Sequence, residues 1–259
     1  VSRQMAELFD THLPDWRHDP DVLKQANALP DAALLAAHRA RKQELLTYAN
    51  SETHRGFAPE LLTIGFARRA AAYKRASLLF RDLQRLIEIC EGRVQFLFAG
   101  KAHPKDEAGH RIIQAVIKAS HSLGEKVRVG YVSNYDMWSG ALLTSGVDVW
   151  LNTPLRPHEA SGTSGMKAAL NGVPNASILD GWWAEAADDG RNGWVIGSAD
   201  SCDDEADLAS LYETLEKRII PTYYDAPEAW LGVMKRSIAT GARFSATRML
   251  KEYSATYYG

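Results

Sequence analysis

The chain has 259 residues, near the upper end of what one hydrophobic core organises, so one large domain or two small ones are expected. Hydrophobic residues make up 46% and charged residues 24%, a globular balance that argues against intrinsic disorder. Thirty Lys and Arg against 32 Asp and Glu leave a formal charge of −2. A globally basic nucleic-acid binder is thereby set aside, and any positive site must be a local cluster.

The first 50 residues read as a helical lead-in. Asp31 follows Pro30 and opens the run Ala32 to Ala37, with charge returning at Arg39, Arg41, Lys42 and Glu44, which predicts an amphipathic helix to about Tyr48. The polar connector Asn50 to Pro59 leads into the main domain, taken as 51–259. Apolar strands are expected at Leu61–Phe66, Val94–Ala99, Val127–Val132 and Val147–Leu151. Helices are expected between them, from Tyr73 to Cys90 and from Glu107 to Leu123. Strands alternating with helices predict a doubly wound, Rossmann-like α/β domain with a parallel sheet. The unbroken apolar character of the second and fourth strands fits burial on both sheet faces. Beyond Gly193, the acidic residues Asp200, Asp203, Asp204, Glu205 and Asp207 read as a loop and a helix N-terminus, where negative charge is favourable. Helices then follow at 207–218, 227–239 and 245–257.

The two cysteines, Cys90 and Cys202, lack metal-type neighbours, so no disulfide framework, zinc module or other metal site is expected. That usage suits a reducing, cytoplasmic setting. No apolar run reaches the ~20 residues that span a bilayer, and Val1-Ser2-Arg3 leads straight into mixed polar sequence rather than a signal peptide. The missing initiator Met is compatible with a piece of a longer protein.

In open parallel sheets, ligands sit beyond the carboxyl ends of the strands. Arg68, Arg69, Lys74 and Arg75 put four cations within eight residues after the first strand, which reads either as a phosphate site or as a solvated basic helix face. Gly100-Lys101-Ala102-His103-Pro104 follows the second strand. It lacks the upstream glycine and the trailing Ser or Thr of a P-loop, so it reads as a structural loop. After the fourth strand, Ser161 to Gly165 should open a helix running through Met166-Lys167-Ala168-Ala169-Leu170. Glycines there admit close approach of a phosphate, and the helix start supplies unpaired donors. Thr163 and Lys167, four apart, share one face, so an anchored phosphate would bring an attached ring to the Lys167 amine, the arrangement a pyridoxal phosphate Schiff base needs. A Gly-rich cap with a surface lysine satisfies the same spacing. Asp180-Gly181-Trp182-Trp183 suits aromatic packing more readily than stacking on a sugar.

Together these stretches resemble the C-terminal, pyridoxal-phosphate-binding half of the α-glucan (glycogen/starch) phosphorylase family, in its shorter bacterial branch. The resemblance rests on Gly65-Phe66-Ala67-Arg68-Arg69 through Tyr73-Lys74-Arg75, Gly100-Lys101-Ala102-His103-Pro104, Asp148-Val149-Trp150-Leu151-Asn152-Thr153-Pro154, Glu159 through Lys167 with Asn171-Gly172, and Asp180-Gly181-Trp182-Trp183. It extends from about Met5 to the C-terminus, and the Glu-Ala-Ser-Gly-Thr-Ser-Gly-Met-Lys run is its most specific part. His158 departs from the apolar residue expected before Glu159.

The resemblance implies the C-terminal domain of a two-domain GT-B glycosyltransferase architecture. It implies phosphorolysis of terminal α-1,4-glucosyl residues to glucose 1-phosphate. Lys167 would carry pyridoxal 5'-phosphate; Thr163, Ser164 and Gly165 would meet its phosphate, Arg68 would lie beside it and Tyr135 would border it. Arg69 and Lys74 would hold the substrate phosphate, and Glu159, Ser161 and Gly162 would contact glucosyl hydroxyls. Two phosphates in contact repel, which accounts for Arg68, Arg69 and Lys74 occurring together. The partners implied are an α-1,4-glucan, inorganic phosphate and an N-terminal domain outside this chain, with a homodimer compatible in the full-length protein and neither nucleic acid nor membrane. Without that domain the chain is expected to be inactive. The rivals are a nucleotide-sugar-dependent GT-B glycosyltransferase, against which Lys167 discriminates, and a non-catalytic carbohydrate-binding module. The intact set Arg69, Lys74, Glu159 and Lys167 argues against the latter.

Overall fold

Two helical stretches precede the first strand in the computed structural model, which describes residues 1–200 and 202–258. Helix α1 (Arg3–His12) is capped by Ser2, whose hydroxyl accepts from the Met5 amide. A 3-10 segment (Pro20–Ala28) leads to α2 (Asp31–Thr53), which ends where His54 turns left-handed. Six strands follow: β1 (Leu62–Ala67), β2 (Val94–Ala99), β3 (Val129–Val132), β4 (Val149–Asn152), β5 (Asn175–Ile178) and β6 (Gly193–Ile196). All pairs are parallel in the order β3-β2-β1-β4-β5-β6, the doubly wound arrangement expected from the sequence.

Alternate side chains of a strand point to opposite faces, and the two cores follow that rule. Ile64, Phe66, Phe96, Phe98, Val149 and Leu151 enter one core with Phe9, Leu34 and Trp230. Leu97, Ala99 and Trp150 enter the other with Leu45, Leu46 and Leu143. Every residue of β1, β2, β4 and β5 is buried, as near-continuous apolar strands demand.

The helices around the sheet are α3 (Leu83–Cys90), α4 (Glu107–Leu123), α5 (Met137–Gly146), α6 (Thr163–Leu170), α7 (Trp183–Ala186) and α8 (Asp204–Thr214). Helix α8 runs through a π segment (Leu215–Ile219) into α9 (Ile220–Asp225), followed by α10 (Pro227–Ala242) and α11 (Ala246–Tyr253). No residue of α11 is buried, and Met249, Leu250 and Tyr253 stand open to solvent. No helix among the described residues is long and apolar enough to cross a membrane.

Two local expectations are corrected. The helix expected over Tyr73–Cys90 is broken into 3-10 turns at Ala72–Lys74 and Leu78–Phe80, and only α3 is α-helical. The break lies at Arg75, held left-handed at φ 50° by contacts described below. The acidic stretch does more than cap α8. Asp203 accepts from the Ala206 amide, but Asp204 and Asp207 are taken up in ion pairs with Arg75.

One charged cluster interrupts the apolar core at the amino ends of β1 and β4. Lys42 Nζ donates to Asp148 Oδ2 at 2.6 Å and to the Leu61 carbonyl at 2.7 Å. His38 Nε2 lies 2.8 Å from Asp148 Oδ1, and the Thr63 amide donates to Asp148 Oδ2 at 2.7 Å. Burial alone would push the Asp148 carboxyl up; Lys42 and His38 outweigh it and hold the group below the ordinary carboxylate value. The cluster clamps α2 to the sheet.

Candidate functional site

Strand order reverses beside β1, which opens a crevice where the segments leaving β1 and β4 come together. Parallel pairing continues past the strands: the Arg68 amide donates to the Ala99 carbonyl at 3.1 Å and the Ala70 amide to that of Lys101 at 3.0 Å. The exits of β1 and β4 are laced to each other. The Leu155 amide donates to the Tyr73 carbonyl at 2.7 Å, and Thr153 Oγ1 to the Lys74 carbonyl at 3.2 Å. Arg75 completes the lacing by donating to the carbonyls of Thr153 and Pro154, both at 2.9 Å, while Asp204 and Asp207 neutralise it at 2.7 Å each. Of the four clustered cations, Arg75 is therefore structural.

Arg68 and Lys74 converge on one carboxylate. Arg68 Nη2 lies 2.7 Å from Glu159 Oε2, and Lys74 Nζ donates to the same oxygen. The three side chains are only 7–9% exposed. Lys74 Nζ also sits 4.5 Å above the Tyr73 ring. Arg68 Nη1 is buried without a partner among the described residues, an expensive state for a charged donor unless something else pairs with it. Arg69 is exposed and stands apart from the Glu159 ion pairs. Burial raises the Tyr73 phenol, but the positive groups of Lys74 and Arg69 outweigh it and hold it below its ordinary value. Two cations thus share one carboxylate, which leaves a positive surplus.

The loop carrying Glu159 is fixed by the segment after β5. Asp180 accepts the Glu159 amide on Oδ2 and the Gly181 amide on Oδ1, both at 2.9 Å, and the Ser161 carbonyl accepts from the Trp182 amide at 2.8 Å. Trp182 and Trp183 are buried, and Trp182 packs edge-on against Phe244, so these rings are structural. Gly162, at φ 89°, begins α6, as only a residue free of Cβ strain readily does. Thr163 is exposed, Ser161 and Ser164 are half-buried, and Gly165 is sealed beneath Trp182.

Lys167 opens onto a cleft of about 600 Å³ that it lines with Ser164 and Tyr135. Asn171 shares the wall and hydrogen-bonds the Lys167 carbonyl at 2.7 Å. Burial raises the Tyr135 phenol while the charge of Arg68 opposes it. Asp136 and Met137 also line the cleft, and sequence reading missed both. Their signal was the reciprocal cap between Asp136 and Ser139 that opens α5. Lys101 and His103 remain on an exposed loop.

A family model described as carbohydrate phosphorylase matches residues 2–192. The chain is 45% identical over 251 residues to a maltodextrin phosphorylase of Thermococcus litoralis, covering 89% of this chain and 30% of that protein. It is 38% identical over 286 residues to a glycogen phosphorylase of Aquifex aeolicus, covering 100% of this chain and 40% of that protein. A glycogen phosphorylase of Mycobacterium tuberculosis is 42% identical over 216 residues, covering 78% and 25%. The chain therefore spans 25–40% of the length of these relatives.

Proposed function

The chain belongs to the carbohydrate phosphorylase family, and from this we propose that it is the cofactor-carrying portion of an α-1,4-glucan phosphorylase. The observation that carries the reading is the meeting of Arg68 and Lys74 with Glu159 on the loop that runs into α6, whose Ser164 and Lys167 line a cleft with Tyr135.

The residues present fit pyridoxal 5'-phosphate. Lys167 offers an exposed amine at the cleft, α6 begins in a glycine cradle, and the buried Arg68 Nη1 lacks an acceptor among the described residues. Lys167 would hold the cofactor, Thr163 and Ser164 would receive its phosphate at the helix start, Gly165, buried with its amide donated to the Gly162 carbonyl, would shape that turn rather than meet the phosphate, Arg68 would flank it and Tyr135 would border it. When bound, the cofactor supplies a phosphate monoester with a second pKa near about 6, suited to acid–base work at neutral pH.

Arg69 and Lys74 bind inorganic phosphate and offset the repulsion between two adjacent anions. Glu159, Ser161 and Gly162 orient the terminal glucosyl unit. The bound inorganic phosphate then protonates the glycosidic oxygen, the C1–O bond breaks, and a phosphate oxygen closes on C1. The products are glucose 1-phosphate and a glucan one unit shorter. The other wall of the cleft belongs to the remainder of a longer two-domain protein, so this chain alone does not turn over.

The test is intact mass after incubation with pyridoxal phosphate and borohydride reduction. One cofactor equivalent is expected on the parent chain and none on Lys167→Ala; equal labelling of both would remove Lys167 from its assigned role. Glucose 1-phosphate formed from glycogen and phosphate by the purified chain would overturn the assignment of inactivity.

A further inference from the structure

Glu159 stands where an anion belongs. Its Oε2 takes both Arg68 and Lys74 in a pocket that screens them from water, while Arg69 contributes further positive charge at the rim. A phosphate dianion arriving at Lys74 competes for the same ammonium and, being more highly charged, takes it. The backbone of Glu159 cannot follow, because Asp180 holds its amide and the Ser161–Trp182 hydrogen bond pins the loop beyond. Only the side chain is free to turn. Arg68 holds the same Oε2 that Lys74 does, so the carboxylate has a second cation beside it when phosphate takes Lys74.

We infer that Glu159 is the resident counter-ion of the phosphate site, and that arriving phosphate displaces it from Lys74 and turns its carboxylate toward the sugar. The inference rests on the reading of Arg69 and Lys74 as the phosphate cations. It gives Glu159 two successive partners and makes phosphate and glucosyl binding mutually reinforcing, since whatever frees the carboxylate for one favours the other.

Calorimetric titration of inorganic phosphate into the full chain at neutral pH and low salt tests this. Glu159→Gln is expected to bind phosphate about tenfold more tightly than the parent. The gain should disappear in Glu159→Gln/Lys74→Ala, which excludes phosphate held at the start of α6 as its source. Glu159→Ala carries the same expectation should the Gln variant fail to fold. Phosphate binding that is unchanged or weakened by loss of the carboxylate would overturn the inference and leave the phosphate reading standing, because Glu159 would then organise the cations. Absence of phosphate binding in every variant would remove both.

Discussion

At Gly165 a side chain has no room: a Cβ there would lie 2.5 Å from Asn175 Oδ1 and 2.7 Å from Trp182 Nε1. Asn175 in turn donates to the Gly165 carbonyl at 3.1 Å, so the first turn of α6 is held from both sides. Gly165→Ala should cost about 1–3 kcal/mol through overpacking, measured by urea unfolding. If the proposed function holds, it should also lower labelling by pyridoxal phosphate after borohydride reduction, because the shifted turn carries Ser164 and Lys167 with it. Arg75 illustrates the opposite kind of constraint. Its left-handed backbone is unfavourable, yet four hydrogen bonds to two carbonyls and two carboxylates hold it there.

Among the elements, α2 is the one whose attachment depends on charge. Lys42→Met would leave Asp148 buried without its main counter-ion, and breaking a buried pair in this way costs about 3–5 kcal/mol; the same unfolding experiment reads it. The sign of the pH dependence follows from the depressed Asp148 carboxyl. Above the ordinary carboxylate value of 3.8 its stabilisation is fully present, and it is lost as pH falls below 3.8 and through the lower native value. Asp148→Asn should therefore flatten the acid limb of the stability profile, even though the variant is less stable at neutral pH.

The apolar strands were legible because full burial leaves little room for polar residues. Asn175-Ala176-Ser177-Ile178 escaped notice as β5 because two of its four side chains are polar, and Gly193–Ile196 because it abuts the acidic stretch. The helix expected from Tyr73 failed for a different reason. Arg75 is bent by partners 78 to 132 positions away, which no local pattern records. The site divides in the same way. The run from Glu159 to Lys167 is a contiguous signature, whereas Asp180 acts on it across 21 residues and becomes visible only once β4 and β5 lie side by side.

For the whole molecule, the sheet separates two tasks. Its carboxyl edge carries the candidate site, and its amino edge carries the Lys42–Asp148 clamp, so variants at the clamp report on stability, while on the proposed function variants at Glu159 or Lys167 report on ligands. The −2 net charge hides this polarity, because the site cations are balanced by carboxylates elsewhere in the chain. That balance acquires a practical meaning at α11. Near-neutral particles repel one another weakly, so short-range stickiness governs how they behave in concentrated solution. Met249, Leu250 and Tyr253, with Tyr257 and Tyr258 just beyond, present such a surface. The apolar side chains that α11 and the residues after it leave open are thus a place where the colloidal behaviour of this chain can be tuned by substitution.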